Sequence, residues 1–205
     1  MIRRMTKMSQ IIQKAFLYAY EKHLNGKRKG TTIPYIVHPM DVASILLKER
    51  NNSTVSDELV AAGFLHDVFE DTETSLKEIE DKFGKEVRDL VKAASEPEEY
   101  KGEVNNEKPK SWKERKSHTI EFIQNANRDA KLLSCADKLS NLRDMMNDHF
   151  IYGAEFWNRF NASQEDIKWY YQSMVKAYNS KISINDTNLL KIFTKEVEMF
   201  FKEDL

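Results

Sequence analysis

The sequence predicts an all-α, single-domain protein, and three observations support this fold class. The 205-residue chain has only six glycines and four prolines, so turn signals are sparse and long helices are favoured. Apolar residues recur at spacings of three and four, and no alternating segment is long enough to indicate a strand. The length suits one medium-sized domain. We expect a motif-bearing core over about residues 10–150, with C-terminal helices over about residues 151–205 packed on it.

Three predicted helices lead into a run of histidine and acidic residues. The first helix has an amphipathic pattern formed by Ile12, Phe16, Ala19 and His23. Pro39 is expected at the first position of the second helix, whose inward residues are Val42, Ala43, Ile45 and Leu46. Ser56 is the expected N-cap of the third helix, which carries inward Leu59, Val60, Gly63 and Phe64.

Capping residues mark most of the later helices. Capping boxes are predicted at Ser75–Glu78 and Ser111–Glu114, and Gly84 is expected to end the helix that follows the first box. The apolar positions after these signals are Val87, Leu90, Val91, Ala94, Ile120 and Ile123. A long helix is predicted over about residues 128–148, a helix capped by Ser163 follows it, and another covers about residues 187–202.

The bulk composition excludes several classes of function. The 32 basic and 33 acidic residues leave a net charge of −1, which argues against nonspecific nucleic-acid binding. No apolar run approaches the roughly 20 residues that span a bilayer, so we expect no membrane association by a helix. The single cysteine, Cys135, fits a reducing compartment, and we expect a cytoplasmic protein. Cys135 is either a nucleophile or, as its apolar helical surroundings favour, a buried core thiol.

The segment from Glu96 to Lys110 is the one stretch with few apolar residues. We expect it to be mobile, because it has little to bury. Loops of this length serve either as lids over a site or as solvated connectors, and both interpretations stay open.

The run Leu65-His66-Asp67-Val68-Phe69-Glu70-Asp71-Thr72 carries the most chemistry. An adjacent His66 and Asp67 can supply a nitrogen and an oxygen ligand to one metal ion. Glu70 lies four residues after His66, one helical turn on, and is expected on the same helix face. The run therefore indicates two ligands beside a carboxylate that can act on a water molecule.

Further ligands are available elsewhere in the chain. His38 precedes Pro39, where a histidine serves either as a helix cap or as a metal ligand. Asp137 lies in an otherwise apolar helical face, where an unpaired carboxylate would be costly to bury. Asn141 is polar one turn later on the same face. Together with the histidine–aspartate pair, these residues indicate a hydrolytic metal centre.

These residues and several longer motifs resemble the hydrolase domain of RelA/SpoT-type alarmone enzymes, within the HD-domain phosphohydrolases. In chain order the matching motifs are Arg28-Lys29-Gly30, Pro34–Pro39, Ala61-Ala62, Leu65–Thr72, Phe83-Gly84, Trp112–Lys116 and Ala136–Arg143. The family is all-helical and typically uses Mn²⁺ to release the 3′-pyrophosphate of guanosine tetra- or pentaphosphate. The resemblance implies this activity here, with a phosphorylated guanine nucleotide as substrate and the removal of a starvation signal as its effect.

The resemblance also implies a role for each matching residue. It assigns four residues to the metal: His38, His66, Asp67 and Asp137. It assigns the activation or positioning of water, and the handling of its proton, to Glu70 and Asp71. It assigns substrate contacts to Arg28 near the base, Asn141 near the sugar, and Arg115 and Lys116 near the phosphates, with Lys29 as a further substrate-binding residue. A site of imidazoles and carboxylates without thiolate is consistent with Mn²⁺.

Two segments depart from the family pattern. The stretch between Arg28 and Pro34 is one residue longer than is common, which bears on where Arg28 can reach. The aromatic segments Phe156–Asn161 and Trp169–Tyr171 have no assigned counterpart, and they either line a pocket or pack the last helices on the core. The length leaves no room for a synthetase domain, so we expect a stand-alone hydrolase.

Two alternatives to this function stay open. An HD phosphohydrolase acting on another phosphorylated nucleotide or a dinucleotide cofactor would have the same metal motifs, because substrate choice depends on the pocket walls. A nucleotide-sensing module that retains metal without turnover is the alternative from another class. The presence of both Glu70 and Asp71 argues against it.

Overall fold

The computed structural model describes residues 9–96 and 111–202, and helices dominate both ranges. The α-helices are α1 (Gln10–Lys22), α2 (Val37–Glu49), α3 (Asp57–Leu65), α4 (Val68–Asp71), α5 (Leu76–Phe83), α6 (Lys85–Ala94), α7 (Trp112–Asn125), α8 (Arg128–Tyr152), α9 (Gln164–Tyr178) and α10 (Asn188–Phe200). A 3₁₀ helix covers Gly153–Arg159. Within the described ranges, β pairing is limited to an isolated bridge between Lys27 and Pro34. The all-α prediction is confirmed, whereas residues 97–110 of the predicted loop lie outside the described residues.

Side-chain caps fix the beginnings of several helices where the sequence predicts them. Ser56 Oγ accepts the Leu59 N–H at 3.0 Å, and Ser111 forms both hydrogen bonds of a capping box with Glu114. At Ser75 the serine half of the box forms, while the Glu78 carboxylate accepts a 2.7 Å hydrogen bond from Tyr18 Oη. These bonds satisfy backbone donors that a helix leaves unpaired in its first turn.

The second helix begins earlier than the sequence predicts. Helix α2 starts at Val37 rather than Pro39. A proline is tolerated at its third position, because the backbone nitrogens of the first turn have no partner inside the helix. His38 consequently lies inside the first turn, and its side chain is only 2% exposed. It is therefore a buried group facing the core rather than a surface cap.

Helix α3 is central to the fold. Every residue from Leu59 to Leu65 is buried, and α3 packs against α1, α2, α6 and α8. The Cβ of an alanine at Gly63 would lie 2.9 Å from Leu46 Cδ1, so glycine allows α2 and α3 to approach closely. The helix ends at Leu65, and His66 and Asp67 form a turn before α4. The histidine–aspartate pair is thus held at the end of the most buried helix.

The C-terminal helices are tied to the rest of the fold by buried charged groups. Helix α9 packs on α7, and α10 packs on α8. The carboxylate of Glu49, at the end of α2, accepts the backbone N–H groups of Asn188 and Leu189 at 3.1 and 2.8 Å. Lys131 Nζ donates to the carbonyl oxygens of Ala177 and Ser180 at 3.2 and 2.6 Å. Charges thus stabilise both the beginning of α10 and the end of α9.

Among the described residues, no helix combines the length and apolar character needed to cross a bilayer.

A candidate metal centre between two cavities

Four predicted ligands come together at one point in the core. His38 comes from α2, His66 and Asp67 from the turn between α3 and α4, and Asp137 from α8. The two Nε2 atoms of the imidazoles lie 3.2 Å apart. Asp67 Oδ2 lies 3.6 Å from His38 Nε2 and 3.1 Å from His66 Nε2. Asp137 Oδ1 lies 3.3 and 3.9 Å from the same two nitrogens.

The Nδ1 atoms of both imidazoles, which point away from the ligand cluster, each have a polar partner. His66 Nδ1 lies 2.9 Å from the carbonyl oxygen of Gly63, which can only accept, so Nδ1 carries a proton. His38 Nδ1 lies 3.1 Å from Ser140 Oγ. In a neutral His66 this arrangement leaves Nε2 as the lone-pair nitrogen. A second polar group that orients the far nitrogen is the usual arrangement for a metal-binding histidine.

The electrostatics of the cluster show how closely its charges are coupled. Burial opposes the imidazolium form of His66, but Asp67 and Asp137 outweigh it and raise the pKa of His66 to about 9. Burial likewise opposes ionisation of Asp67, yet His66 and His38 hold the pKa of that carboxyl below its usual range. Without another cation, a proton on His66 therefore offsets the partly buried carboxylates.

The donor set and its spacing fit a divalent cation. Ligand atoms of His38, His66 and Asp67 all lie within 4.8 Å of one another, and Asp137 Oδ1 adjoins both imidazoles. Metal–nitrogen and metal–oxygen bonds of about 2.0–2.2 Å place neighbouring ligand atoms roughly 3–3.5 Å apart, depending on the coordination geometry. Converging nitrogens and buried carboxylates at these separations are the arrangement that a bound dication would stabilise.

A cavity of about 710 Å³ opens on one side of this centre. Its polar wall includes Glu70, Arg115, Lys116, Asp137 and Lys138. Burial, followed by the charge of Lys138, lowers the pKa of Lys116. Arg115, Lys116 and Lys138 thus share this cavity with one candidate metal ligand and one predicted proton acceptor, which suits a charged phosphorylated group. Lys92, Asp89 and Glu96 line the cavity as well. We call this space the catalytic cavity.

A second cavity of about 640 Å³ adjoins the first, and Lys116, Lys138 and Tyr170 line both. We call it the nucleoside cavity. Arg28 and Asn141 line it, and an Arg28 nitrogen donates to Asn141 Oδ1 at 2.9 Å. The longer loop before Pro34 therefore still brings Arg28 to the site. Lys29 lies in the same wall, so all the predicted base and sugar residues share one cavity.

The structure separates the two adjacent acids of the His-Asp run. Glu70 lines the catalytic cavity. Asp71 is exposed and lies beside Tyr35. Burial, then Asp67, then Asp71 raise the pKa of that tyrosine. The two acids thus face different surroundings, and of the pair it is Glu70 that reaches the cavity holding the cations.

Several residues at the site were not singled out from the sequence. Tyr35 donates a 2.6 Å hydrogen bond to Asp67 Oδ2, and its place in the Pro34–Pro39 motif is the only sequence signal for it. Lys138 donates to Asp137 Oδ2 at 2.6 Å and follows that aspartate directly in the chain. Ser140 has no sequence signal beyond its place in the Ala136–Arg143 motif, and Tyr170 was noted only as part of the aromatic segment Trp169–Tyr171.

The aromatic segments near the C-terminus both pack and line the nucleoside cavity. Phe156 is 2% exposed and belongs to the core, and Trp157 stacks on Phe200 with ring centroids 5.8 Å apart. The cavity-lining members of these segments are Phe156, Arg159, Phe160, Asn161, Tyr170 and Tyr171. The two alternatives drawn from the sequence therefore coexist, because one wall of the cavity is the surface of the packed helices.

Comparison with known proteins agrees with this geometry. A family model described as "HD domain" matches residues 15–150, which include the four candidate ligands. The guanosine-3′,5′-bis(diphosphate) 3′-pyrophosphohydrolase MESH1 of Xenopus tropicalis is 37% identical over 142 residues, covering 69% of this chain and 73% of that protein. The human protein of the same name is 40% identical over 131 residues, covering 62% of this chain and 65% of that protein.

Two solved structures extend the similarity over more of the chain. A crystal structure of a Listeria monocytogenes protein superposes with a TM-score of 0.68 at 33% identity, over 81% of this chain and 99% of that one. A metazoan orthologue of SpoT, described as hydrolysing ppGpp, superposes with a TM-score of 0.73 at 26% identity, over 96% of this chain and 98% of that one.

Proposed function

This chain belongs to the HD-domain family, and from that membership we propose that it is a metal-dependent guanosine-3′,5′-bis(diphosphate) 3′-pyrophosphohydrolase. The single observation that carries the proposal is the position of the candidate metal centre between two cavities with different linings. One cavity offers cations and an acid for phosphates, and the other offers an arginine, an amide and aromatic rings for a nucleoside. The similarity to pyrophosphohydrolases of the same name supports the choice of substrate.

The reaction adds water across the bond between the 3′ oxygen and its phosphorus, which yields guanosine diphosphate and pyrophosphate. His38, His66, Asp67 and Asp137 would hold a divalent ion, which when bound would supply Lewis acidity and lower the pKa of a bound water. We propose Mn²⁺ as this ion, supported by a donor set of nitrogen and oxygen without thiolate.

Glu70 is the proposed acceptor of the proton that the attacking water loses. It lines the catalytic cavity together with the metal ligand Asp137, which places its carboxylate on the side where the phosphates are expected. A positioned general base contributes about 10²–10⁴-fold to a rate. Asp71 acts beside it by orienting Tyr35, and the Tyr35 hydroxyl in turn holds Asp67 in position.

The remaining predicted residues bind substrate. Arg115 and Lys116 hold the 3′-pyrophosphate in the catalytic cavity, since cations facing one space suit a polyanion. Asn141 lies between Asp137, to which its Nδ2 donates at 2.6 Å, and Arg28, so it is placed to contact the sugar nearest the metal. Arg28 and Lys29 bind the base, for which the flat guanidinium provides a stacking surface.

We also propose a cytoplasmic location. It is supported by Cys135, a buried free thiol whose pKa is raised well above its ordinary value by burial. Such a thiol is compatible with a reducing compartment.

Product identification tests the proposed activity. The purified protein is incubated with guanosine tetraphosphate and Mn²⁺, and the products are separated by ion-exchange chromatography. We expect equimolar guanosine diphosphate and pyrophosphate, and we expect Mg²⁺, Zn²⁺ and Ca²⁺ to support less turnover than Mn²⁺. Absence of both products, with the metal shown to be bound, would reject the proposal.

A nucleotide panel separates this activity from its alternatives. Release of orthophosphate from a dinucleotide cofactor, without pyrophosphate from the alarmone, would identify a different HD phosphohydrolase. Binding of guanosine tetraphosphate without any turnover would identify a sensing module. The Glu70→Gln variant is the matched background control, because any activity that it retains does not come from the proposed site.

A further inference from the structure

The two cations proposed to hold pyrophosphate already share a carboxylate. Arg115 Nη1 lies 2.8 Å from Glu96 Oε2, and Lys116 Nζ lies 3.9 Å from Glu96 Oε1. Each oxygen of Glu96 therefore faces one of the two cations. The side chain of Glu96 is only 15% exposed, so water screens this interaction less than it would at an open surface.

Arg115 and Lys116 differ from the other cations of the catalytic cavity. Lys138 is paired with Asp137 at 2.6 Å, and Lys92 lies on the exposed face of α6. Burial and Lys138 lower the pKa of Lys116, so a nearby anion favours its charged form. Glu96 provides that anion in the structure, and a phosphate oxygen offers the same kind of acceptor.

Glu96 lies where its side chain can leave without unfolding a helix. Helix α6 ends at Ala94, and Ser95 is its C-cap. The backbone of Glu96 is therefore outside the helix, and its described side-chain contacts are the two with Arg115 and Lys116. Displacing its carboxylate breaks one charge-assisted hydrogen bond and one longer ion pair, and both would be replaced by contacts to an incoming pyrophosphate.

We propose that Glu96 is an internal competitor for the pyrophosphate-binding cations: its carboxylate occupies Arg115 and Lys116 when no substrate is bound, is displaced by the pyrophosphate group, and returns when that product leaves. This inference rests on the proposed function, which takes these cations as the pyrophosphate site. When Glu96 occupies the cations, pyrophosphate can bind only to the fraction of molecules in which the cations are open, and its apparent affinity falls to that fraction of the intrinsic affinity. Glu96 therefore weakens both the capture of substrate and the retention of product.

Binding of inorganic pyrophosphate tests the proposal without any turnover. Isothermal titration calorimetry is performed on the full-length, metal-free protein, so that pyrophosphate cannot chelate a metal. Glu96→Gln keeps the shape of the side chain and removes its charge. We expect this variant to bind pyrophosphate about tenfold more tightly than the unmodified protein, because pyrophosphate no longer has to displace an ion-paired carboxylate.

Two further variants separate local competition from other effects. Glu86→Gln, on the exposed surface of the same α6 helix, makes the same change in net charge and should leave pyrophosphate affinity unchanged. The double variant Arg115→Gln/Glu96→Gln is compared with Arg115→Gln alone. Removing the Glu96 charge should then increase pyrophosphate affinity by less than about fivefold, because one of the cations that Glu96 contacts is missing. Thermal unfolding confirms that each variant is folded.

The results that would overturn the competition by Glu96 can be told apart from those that would overturn the proposed function. Unchanged affinity in Glu96→Gln, or an equal gain in Glu86→Gln, would overturn the proposal. Weaker binding in Glu96→Gln would also overturn it, since Glu96 would then be positioning the cations rather than competing for them. If the protein fails to hydrolyse guanosine tetraphosphate while Glu96→Gln still binds pyrophosphate more tightly, the proposed function fails and the competition stands. If turnover is observed but the affinity gain is absent, only the competition fails.

Discussion

Tyr35 Oη donates a 2.6 Å hydrogen bond to Oδ2 of Asp67, the same oxygen that lies 3.1 Å from His66 Nε2. The tyrosine therefore fixes the orientation of a proposed metal ligand from outside the ligand set. Groups in this position usually tune metal affinity, because they hold the ligand in its binding geometry. Tyr35 is itself held by the ring of His23, whose centroid lies 4.7 Å away.

Replacing Tyr35 with phenylalanine should weaken metal binding without removing it. We expect Mn²⁺ affinity to fall about 10- to 100-fold, the usual effect of losing an outer hydrogen bond to a ligand. Titration of the metal-free protein with Mn²⁺, followed by electron paramagnetic resonance of the free ion, measures this. Tyr20→Phe, at an exposed tyrosine of α1, is the matched control. Equal affinity in both variants would show that the hydroxyl does not influence the ligand.

Asp67 and Glu70 should separate metal binding from turnover. Asp67→Ala removes a ligand oxygen and should abolish measurable Mn²⁺ binding. Glu70→Gln should retain the metal while turnover of guanosine tetraphosphate falls by about 10²–10⁴-fold, the contribution of a general base. Metal content by mass spectrometry is compared with the turnover rate for each variant. Equal metal loss in the two variants would contradict the division of roles.

Arg28→Ala should affect binding of the nucleoside rather than the chemistry. The variant loses the 2.9 Å hydrogen bond to Asn141 and the 2.7 Å ion pair with Asp144. We expect KM to rise by about tenfold with kcat nearly unchanged, since the interaction is made equally in the ground and transition states. Steady-state kinetics measures both constants, with Arg50→Ala, at an exposed residue that lines neither cavity, as control. A fall in kcat alone would place Arg28 in the chemical step.

Metal affinity should increase with pH. The pKa of His66 is raised to about 9 in the metal-free protein, so below that pH a proton occupies the cluster and must leave when the metal binds. Between pH 7 and 8.5 we expect the association constant to rise by up to about tenfold per pH unit, the limit for one released proton. Calorimetry in buffers with different ionisation enthalpies counts the released protons. A constant affinity over this range would show that His66 is already neutral.

Gly63→Ala should destabilise the fold near the site. The added Cβ would meet Leu46 Cδ1 at 2.9 Å and the Ala43 Cα at 3.4 Å, so either the buried Leu46 side chain must move or α2 and α3 must separate. Overpacking of this kind costs about 1–3 kcal/mol, and in a chain of this size Tm should fall by roughly 2–10 °C. Ser117→Ala, on the exposed surface of α7, should leave Tm within about 1 °C. An unchanged Tm in Gly63→Ala would mean that the helix pair can relax around the methyl group.

The helices and the candidate ligands could be predicted from the sequence because both have local signals. Capping serines, helical spacing and a glycine at φ +90° indicate where helices begin and end. The beginning of α2 was misplaced by two residues, since proline is tolerated throughout the first turn of a helix as well as at its first position. The four ligand candidates are residue types that are costly to bury without a partner, which makes them conspicuous in apolar patterns.

The contacts between these residues could not be predicted, because they depend on the packing of distant helices. Tyr35 meets Asp67 across 32 positions of sequence, and Glu96 meets Arg115 across 19. Neither pairing has a local signal. The division of Glu70 and Asp71 between two sides of the turn was equally hidden, since neighbours in sequence carry no information about which cavity each side chain enters.

The nucleoside cavity is built from two stretches of chain, and only the first of them lies in the region that matches the HD-domain model. The region that matches the HD-domain model ends at residue 150, after the last candidate ligand. The aromatic and basic wall formed by Phe156, Arg159, Phe160, Tyr170 and Tyr171 comes after it. One wall of the nucleoside cavity thus comes from a part of the chain that lies outside the segment holding the four candidate ligands. We expect substitutions among the wall residues of 156–171 to change nucleotide selectivity with less effect on metal binding than substitutions of the candidate ligands, so this wall is a place to engineer selectivity.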